Sequence, residues 1–524
     1  MNQSQQSPGY FLAIDNGTQS VRAIVFDHNG QLITKTKIEI EPYFSDQPGW
    51  AEQHPDYFWQ ALCQACAQLW QQLDIPRDAI KAVSLTTQRA TVIPMDAEGM
   101  PLRPAISWLD QRQVDTKPEL GAVESLLMRA VGAKQAVDFF HAQAEINWIA
   151  ANQPALWQQV DKLLLLSGYH NYKLTGCYTD SVASQVGFLP FDFEKLQWAD
   201  SNDWKWRALP AIKREMLPEL VAAGQTLGHI SQQAADETGI PVGLPLIACG
   251  SDKACEVLGS GCIDSNTGSL SYGTTATFNI SSAKYLEAIP FHPAYPGVTP
   301  GSFNVEMMVP RGYWMVSWFK QEFGQPEQSA ATQQGVSPES LFDNLLQQVP
   351  AGSMGLTLQP YWGAGADNEG PEAKGAIIGF GDVHTRAHLY RAIIEGLTYA
   401  LRAGKERMEK RSKQPITRLL VSGGGSQSDQ IMQITADVFG MPVERPHTYE
   451  TSALGAAIAA AVGCGVYPDF ASAAANMTHA GDRFEPIADN HRVYEQLYRQ
   501  VYLQMYKRLK PSYQAIRAIT GYPA

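Results

Sequence analysis

The sequence predicts an α/β protein made of two domains. Its length of 524 residues exceeds the size at which a single hydrophobic core keeps growing. Strand-like and helix-like segments alternate along the first half, which is the pattern of α/β folds. Two strand–turn–strand segments with Gly-Thr tips also lie about half a chain apart. They suggest an internally duplicated architecture in which each half contributes one phosphate loop.

The first of these segments covers residues 10–27 and reads YFLAIDNGTQSVRAIVFD. After Gly17 the residues alternate with strand period and no helix cap follows, and neither the dinucleotide-binding motif nor the P-loop is present. Asn16 and Gly17 are a favoured pair for a tight hairpin turn with positive φ. The polar tip offers backbone N–H groups, hydroxyls and one carboxylate, which together suit a Mg-nucleotide triphosphate. An ordinary surface hairpin is the alternative that this segment alone leaves open.

Three later segments place polar or glycine-rich loops after apolar strands. GLPLIACGSDKACEVLGSG is a strand that enters an acid-bearing Gly-Ser turn and continues as a helix. LSYGTTATFNI carries Gly273, Thr274 and Thr275 between two strand-like flanks. TRLLVSGGGSQSDQIMQITADVFG gives a strand over 418–421, three glycines and a helix from about Asp429. Glycines at such a place let the backbone approach a flat ring closely.

Composition restricts the class of partner. A formal net charge of −12 argues against nucleic acid or an anionic membrane as the main partner, so we expect a small-molecule partner. The seven scattered cysteines suit a reducing compartment, and Cys63 and Cys66 lie in a helical apolar pattern that favours a structural role. No signal-peptide pattern opens the sequence, and the longest run of small apolar residues is about half of a membrane span. These features predict a cytoplasmic protein.

Five segments in register resemble the FGGY family of carbohydrate kinases, and the likeness runs from Tyr10 to about Pro468. They are DNGTQSVRA, PGWAEQHPDYFW, PLRPAISWLDQR, CGSDKACEVLGSG, and GAIIGFGDVHTRAHLYRAIIEG followed by SGGGSQSD. A further family signature is matched poorly in FHAQAEINWIAAN, where Ala142 and Glu145 replace a small hydroxyl or proline and a lysine. The resemblance implies a two-domain actin- and hexokinase-like (ribonuclease H-like) fold with the active site in the interdomain cleft.

The same resemblance implies how the chain is divided. An N-terminal domain over residues 1–262 would bind the sugar and supply the first phosphate loop, and a C-terminal domain over 263–524 would bind the nucleotide. We also expect the last helix to pack back on the N-terminal domain. A homodimer is the expected assembly.

By resemblance, Asp252 is the catalytic base that takes the proton of the sugar hydroxyl during phosphoryl transfer from ATP. Asp15 and Asp252 are the implied Mg²⁺-organising carboxylates, acting through water as Mg²⁺ prefers. Nucleotide contacts are implied for residues of both domains: Asp15, Gly17, Thr18, Gln19, Ser20, Arg22, Gly273, Thr274, Gly424, Gly425 and Ser428. For Ser428, a helix N-cap is an equally good interpretation.

The implied sugar pocket departs from the best-known branches of the family. Its residues would be Gln88, Arg89, Ala90, Trp108, Asp110, Asp252 and Lys253. Glycerol kinases carry an acidic residue where Ala90 stands, and xylulokinases carry Met-His at Arg89 and Ala90, so neither branch is matched strictly. Lys253 replaces the usual amide, and it either binds a substrate oxygen or pairs with an acid at the surface.

Cationic donors without the acidic residue favour an oxygen-rich substrate over a small one. We therefore expect a ketose or polyol of five or six carbons, with a sugar-acid kinase or a glycerol kinase as the alternatives. An actin-like or chaperone-like ATPase is the alternative from another class. The segments PGWAEQHPDYFW and SWLDQR, which such ATPases lack, favour the kinase.

Overall fold

Two large mixed β-sheets, one in each half of the chain, organise the fold. A computed structural model describes residues 9–118, 121, 125, 126, 128, 129, 134–290, 292–362, 370 and 372–522. The first sheet is built only from strands before residue 250 and the second only from strands after residue 265. The predicted α/β class and the predicted two-domain organisation are therefore confirmed.

The N-terminal sheet has six strands. In spatial order they are Thr226–His229, Pro245–Ile247, Ile80–Thr87, Tyr10–Asn16, Ser20–Asp27 and Leu32–Glu39. Tyr10–Asn16 is antiparallel to the strand that follows it in the chain and parallel to Ile80–Thr87 on its other side. Its polar carboxyl end therefore lies beside the carboxyl end of Ile80–Thr87.

The C-terminal sheet repeats this arrangement. Its seven strands are, in spatial order, Tyr295–Pro296, Phe303–Val309, Ala276–Ser282, Thr267–Tyr272, Arg418–Ser422, Val443–Pro446 and Ala480–Phe484. Thr267–Tyr272 occupies the place of Tyr10–Asn16, because it is antiparallel to the next strand and parallel to Arg418–Ser422. The expected internal duplication is thus present in the topology, although the two halves share little sequence.

Smaller β-sheets accompany the two large ones in both halves. A four-stranded sheet joins Glu52–Gln53, Ala105–Ile106, Val92–Met95 and Lys162–Leu165. Two-stranded ribbons pair Phe191–Asp192 with Gln197–Trp198, Thr179–Ser181 with Glu219–Val221, and Thr357–Gln359 with Ala376–Ile378.

Helices cover the sheets in both halves. Those before the second sheet are Pro55–Gln72, Lys134–Gln143, Glu145–Asn152, Pro154–Trp157, Leu166–Thr175, Trp204–Ala208, Gln232–Thr238 and Asp252–Gly259. Those after it are Trp314–Phe323, Gln325–Gln334, Pro338–Gln347, Arg386–Ser412, Asp429–Phe439, Thr451–Gly463, Phe470–Met477, Ala488–Leu497 and Leu503–Thr520. Within the described part of the chain, no helix is long and apolar enough to cross a membrane.

Two helices from different halves cross where the domains meet. Asp252–Gly259 and Thr451–Gly463 both cover one face of the N-terminal sheet, and the second helix is buried almost throughout. A Cβ added at Gly455 would lie 2.0 Å from the carbonyl oxygen of Cys255, and one added at Gly259 would lie 2.0 Å from that of Thr451. Glycines at both positions therefore allow the two backbones to touch.

The last helix is placed differently from our expectation. Met505 belongs to the C-terminal hydrophobic core, and the Tyr506 hydroxyl donates to Glu372 at 2.8 Å. Leu503–Thr520 thus packs on the C-terminal domain, and the prediction that it returns to the N-terminal domain is wrong. The helix that does cross is Thr451–Gly463, whose small residues permit the close approach. The boundary between residues 262 and 263 stays a prediction.

The helix crossing gives a test of this arrangement. Gly455→Ala should destabilise the protein by about 2 kcal/mol or more, because a backbone carbonyl cannot move aside as a flexible side chain can. Thermal unfolding monitored by circular dichroism measures the change. Gly381→Ala is the matched control, since its Cβ would meet His384 at an ordinary 3.8 Å. Equal melting temperatures for the two variants would contradict the close crossing.

Candidate active site

The hairpin that the sequence predicts as the first phosphate loop, called the phosphate hairpin below, is wider than the sequence suggests. Asn16 pairs with Val21, and the Gly17 N–H donates to the Ser20 carbonyl at 3.0 Å. Gly17 does not have a positive φ. The prediction of a tight turn with positive φ is therefore wrong, and a four-residue tip replaces it. Within this tip Gln19 is exposed and the Ser20 side chain is buried.

Asp15 is a buried carboxylate at the base of this hairpin. It accepts from Arg22 at 3.1 Å, and Arg22 also lies 3.5 Å from Glu450, which Lys35 contacts at 2.9 Å. Burial raises the pKa of Asp15 to about 6, while Arg22 lowers it and Asp252 raises it. The two predicted carboxylates, from different elements, thus act on each other within one cleft.

Asp252 is the first residue of the helix Asp252–Gly259, with Ser251 as the N-cap. Its Oδ1 accepts from the backbone N–H of Lys253 at 2.8 Å, and the helix N-terminus favours a negative charge there. Burial raises the pKa of Asp252 above its ordinary value, against the lowering effect of Arg89 and Lys253. A carboxylate that is more basic than usual is suited to accepting a proton.

Lys253 is half-buried and already has hydrogen-bond partners. Its Nζ lies 2.6 Å from Glu256 and donates to the Ser271 hydroxyl at 2.7 Å. Glu256 also accepts from Ser422, at 2.7 Å. Of the two interpretations left open for Lys253, pairing with an acid is the one observed, but the acid is buried. The network ties the Asp252 helix to two strands of the C-terminal sheet.

Arg89 reaches from the N-terminal domain to the C-terminal one. Its Nη2 donates to Glu306 on the strand Phe303–Val309 at 3.0 Å, and its guanidinium lies 5.1 Å from the ring centre of Tyr295. Ala90 follows with φ of 50°, and its N–H donates to the Val186 carbonyl at 3.1 Å. The unusual backbone angle directs the loop away from the strand and leaves Arg89 against the other domain.

Gln88 and Trp108 connect the predicted sugar-binding loop of residues 88–90, called the sugar loop below, to the phosphate hairpin. The Trp108 indole N–H lies 3.1 Å from both the Thr18 hydroxyl and the Gln88 Oε1. The Gln88 backbone N–H donates to the Asn16 carbonyl at 2.9 Å. The Gln88 Nε2 is buried and, within the described residues, has no hydrogen-bond partner. A buried donor without a partner lowers stability, and a hydrogen bond to a ligand oxygen would remove that cost. The Gln88 amide is therefore a candidate ligand contact.

The Asp110 side chain is buried and paired within the N-terminal domain. Its oxygens accept from the Ala51 backbone N–H and, at 2.8 and 2.6 Å, from the Arg112 guanidinium, which stacks on Trp50 at 4.0 Å. Burial raises the pKa of nearby Glu145 to about 8, with Asp110 raising it further and Arg112 lowering it. Because both of its oxygens are used and buried, Asp110 positions the Trp108 loop, and we withdraw it as a substrate ligand.

The predicted second phosphate loop, residues 273–275, lies between two strands of the C-terminal sheet. The Gly273 and Thr274 carbonyls accept from the backbone N–H groups of Tyr313 and Trp314 at 3.0 and 3.3 Å. These bonds anchor the loop to the start of the helix Trp314–Phe323, so its carbonyls point into the domain.

The glycine-rich loop after Arg418–Ser422 borders the same region. A Cβ at Gly424 would meet nothing within 4 Å, whereas one at Gly425 would lie 2.3 Å from the Tyr313 ring. Gly424 therefore offers open space, and Gly425 is required by packing. The Ser428 hydroxyl accepts from the Ile431 N–H at 3.1 Å and donates to Asp343. Ser428 is thus the N-cap of Asp429–Phe439, as its alternative interpretation held.

Sequence reasoning missed the carboxylates that neutralise the site. Glu306, Glu256 and Glu450 each pair with a cation beside Asp15 or Asp252. For Glu306 the sequence did contain a signal, because it is an isolated acid in the apolar strand FNVEMMV. A charge buried in such a strand requires a partner of opposite charge. Without the fold, that partner could not have been identified.

Comparisons with known proteins agree with this geometry. The model of the FGGY family of carbohydrate kinases matches in its N-terminal domain over residues 10–259 and in its C-terminal domain over 268–464. The chain is 30% identical to the uncharacterised sugar kinase YgcE of Escherichia coli K12, covering 98% of both chains. It is 29% identical to a xylulose kinase of Lactococcus lactis, covering 93% of this chain and 95% of the relative.

Among solved structures, gluconate kinase from Lactobacillus acidophilus superposes with a TM-score of 0.81 at 22% identity. The match covers 97% of this chain and all of that one. At this identity the likeness shows the fold, and the expected two-domain α/β kinase fold is confirmed.

The raised pKa of Asp15 predicts a pH-dependent effect on stability. Since the pKa rises from 3.8 to about 6 on folding, its stabilising contribution is complete below pH 3.8 and is lost as the pH rises through 6. Asp15→Asn does not titrate, so its free energy of unfolding relative to the wild type should rise between pH 4 and pH 8, by about 3 kcal/mol at most. Urea unfolding at several pH values measures this, and a difference independent of pH would contradict the raised pKa.

Proposed function

The chain belongs to the FGGY family of carbohydrate kinases and is an ATP-dependent sugar kinase, and from this premise we propose its substrate class and the roles of its residues. The acceptor is a hydroxyl of a ketose or polyol of five or six carbons. Asp252 is the catalytic base, and the sugar lies between the loop of residues 88–90 and the start of the helix Asp252–Gly259.

One observation carries this proposal. The half-buried Asp252 lies at a helix N-terminus, and its carboxylate interacts electrostatically with both Asp15 and Arg89. This interaction supports a site in which the hairpin bearing Asp15 and the loop bearing Arg89 both act on Asp252. Phosphoryl transfer requires such an arrangement, because most of its acceleration comes from positioning and charge neutralisation.

In the proposed reaction, Asp252 accepts the proton of the attacking sugar hydroxyl. The hydroxyl oxygen forms a bond to the γ-phosphorus of ATP as the bond between that phosphorus and the β–γ bridging oxygen breaks, and ADP leaves. Thr18, Gln19, Gly273 and Thr274 line the path of the phosphates, and Gly424 leaves room for the adenosine. The raised pKa of Asp252 makes it a better proton acceptor than an ordinary surface aspartate.

The carboxylates fit Mg²⁺ that arrives with the nucleotide. Within the described residues, no group of three or more His, Cys, Asp or Glu side chains is arranged to hold a metal ion. Asp15 and Asp252 alone suit an ion that keeps most of its water and phosphate ligands. When bound, Mg²⁺ would neutralise the phosphate charge, and the two aspartates would hold its hydration shell in place. A cytoplasmic location and a homodimer stay predictions.

The ATPase and the other kinase classes are less well supported. Glycerol kinase activity would need an acid at Ala90, which the chain lacks. The solved structure of a gluconate kinase raises a sugar acid as a substrate, but both cations near Asp252 are already paired with carboxylates. The Trp108 loop between the phosphate hairpin and Gln88 fits a sugar pocket rather than an exposed ATPase cleft.

A substrate screen tests this function directly. With Mg-ATP, coupled ADP release should be highest for one pentulose, hexulose or five- to six-carbon polyol, and negligible without an acceptor, because water is excluded from the closed cleft. Glycerol should be poorer by orders of magnitude. The highest kcat/KM for glycerol, or rapid ATP hydrolysis without any sugar, would refute the proposal.

Replacing the base tests its role. Asp252→Asn keeps the shape of the side chain but cannot accept the proton, so kcat should fall by about 10²- to 10⁴-fold while ATP binding persists. Stopped assays of ADP formation measure kcat, and calorimetry with a non-hydrolysable ATP analogue measures binding. Turnover close to that of the wild type would show that another group is the base.

A further inference from the structure

Each cation around Asp252 already has its own carboxylate. Arg89 contacts Glu306 at 3.0 Å, and Lys253 contacts Glu256 at 2.6 Å. Asp252 itself accepts from a backbone N–H, so it adds one negative charge beyond the two neutral pairs. The sequence alone suggested two free cationic donors in this pocket. The observed pairing instead gives a pocket with a net negative charge.

Glu306 restores an acceptor close to the place where one is missing. Ala90 provides no side-chain oxygen, and its neighbour Arg89 extends to the opposite domain, where the Glu306 carboxylate meets it. Glu306 and Arg89 are therefore side by side although they come from different domains. A carboxylate has about four lone-pair sites, and the Arg89 Nη2 lies 3.0 Å from one oxygen and 3.4 Å from the other.

The pair is held in place but remains open to a ligand. The side chain of Glu306 is 6% exposed, and those of Arg89 and Lys253 are 19% and 20% exposed. The Arg89 guanidinium also rests over the Tyr295 ring at 5.1 Å, which restricts its orientation. The carboxylate is thus nearly desolvated, while the guanidinium retains donors that a ligand can reach.

We propose that Glu306 and Arg89 form a substrate-selecting pair: Glu306 accepts a hydrogen bond from a sugar hydroxyl, Arg89 donates to a neighbouring oxygen, and their mutual neutralisation excludes sugar acids. This inference rests on the proposed kinase function. A carboxylate in the substrate would lie near the negative charges of Glu306 and Asp252, and no unpaired cation would offset them. Repulsion between like charges is strong where water is excluded, so binding of a sugar acid would be weakened. A neutral polyol or ketose satisfies both groups.

The test compares a neutral sugar with the matching sugar acid. For the wild type, kcat/KM is measured with the best neutral substrate of the screen and with the aldonic acid of the same chain length. Glu306→Gln keeps the shape, removes the charge and frees the Arg89 guanidinium. It should lower kcat/KM for the neutral sugar about tenfold or more, mainly through KM, and should raise it for the acid.

Two further variants make the result interpretable. Glu306→Asp keeps the charge but withdraws the carboxylate by one methylene. It should therefore lower kcat/KM for the neutral sugar without raising kcat/KM for the sugar acid. Glu327→Gln is the matched control, because Glu327 pairs with Arg386 in the same domain at 2.7 Å but lies away from Asp252. It should leave the ratio of the two kcat/KM values unchanged.

The outcomes separate this inference from the function on which it rests. A wild-type enzyme that prefers the acid would refute the proposed substrate class. A wild-type enzyme that prefers the neutral sugar, together with a Glu306→Gln variant whose preference changes less than about twofold, would refute the role of Glu306 alone. If Glu306→Gln does not fold, Glu306→Asp gives the test. An unaltered ratio of the two kcat/KM values in Glu306→Asp, with an unchanged KM for the neutral sugar, would equally refute the role of Glu306.

Discussion

The close crossing of two glycine-bearing helices determines where the charged groups of the cleft lie. Asp252 is the first residue of one helix, and Glu450 immediately precedes the other. Gly259 and Gly455 let the two backbones touch, so that the end of the first helix lies against the start of the second. Asp252 then acts on Asp15 from one side, and Glu450 reaches Arg22 from the other. A larger residue at either crossing point would separate these groups.

A second constraint follows from concentrating charge in a buried cleft. An isolated buried ion is costly, so each cation of the site is matched by a carboxylate, and several of these pairs join the two halves of the chain. Arg89 with Glu306 and Lys35 with Glu450 are examples. Asp15 shares Arg22 with Glu450, and among the described residues Asp252 accepts only from a backbone N–H, so burial raises the pKa of both carboxylates. Asp15 and Asp252, whose pKa values are raised by burial, are also the residues that a phosphorylation reaction would use.

Local sequence patterns predicted the strands and helices of the site well. The strands Tyr10–Asn16, Ile80–Thr87 and Arg418–Ser422 and the helix Asp429–Phe439 lie where alternation, apolar runs and glycines indicated. The errors arose where a side chain or a turn depends on distant neighbours. The Asn16-Gly17 pair adopts a wider turn, and Asp110 turns toward Ala51 and Arg112, because contacts from other elements outweigh local preference.

The sequence by itself determined the α/β class, the two domains and the family. Each of these depends on periodicity or on motifs within a few residues of one another. Only the tertiary structure decided which carboxylate neutralises which cation, because the partners are as far apart in the chain as Arg89 and Glu306 or Arg22 and Glu450. The charge of the sugar pocket, and with it the expected substrate, follows from that pairing, since Coulomb interactions depend on distance in space and not on separation along the chain.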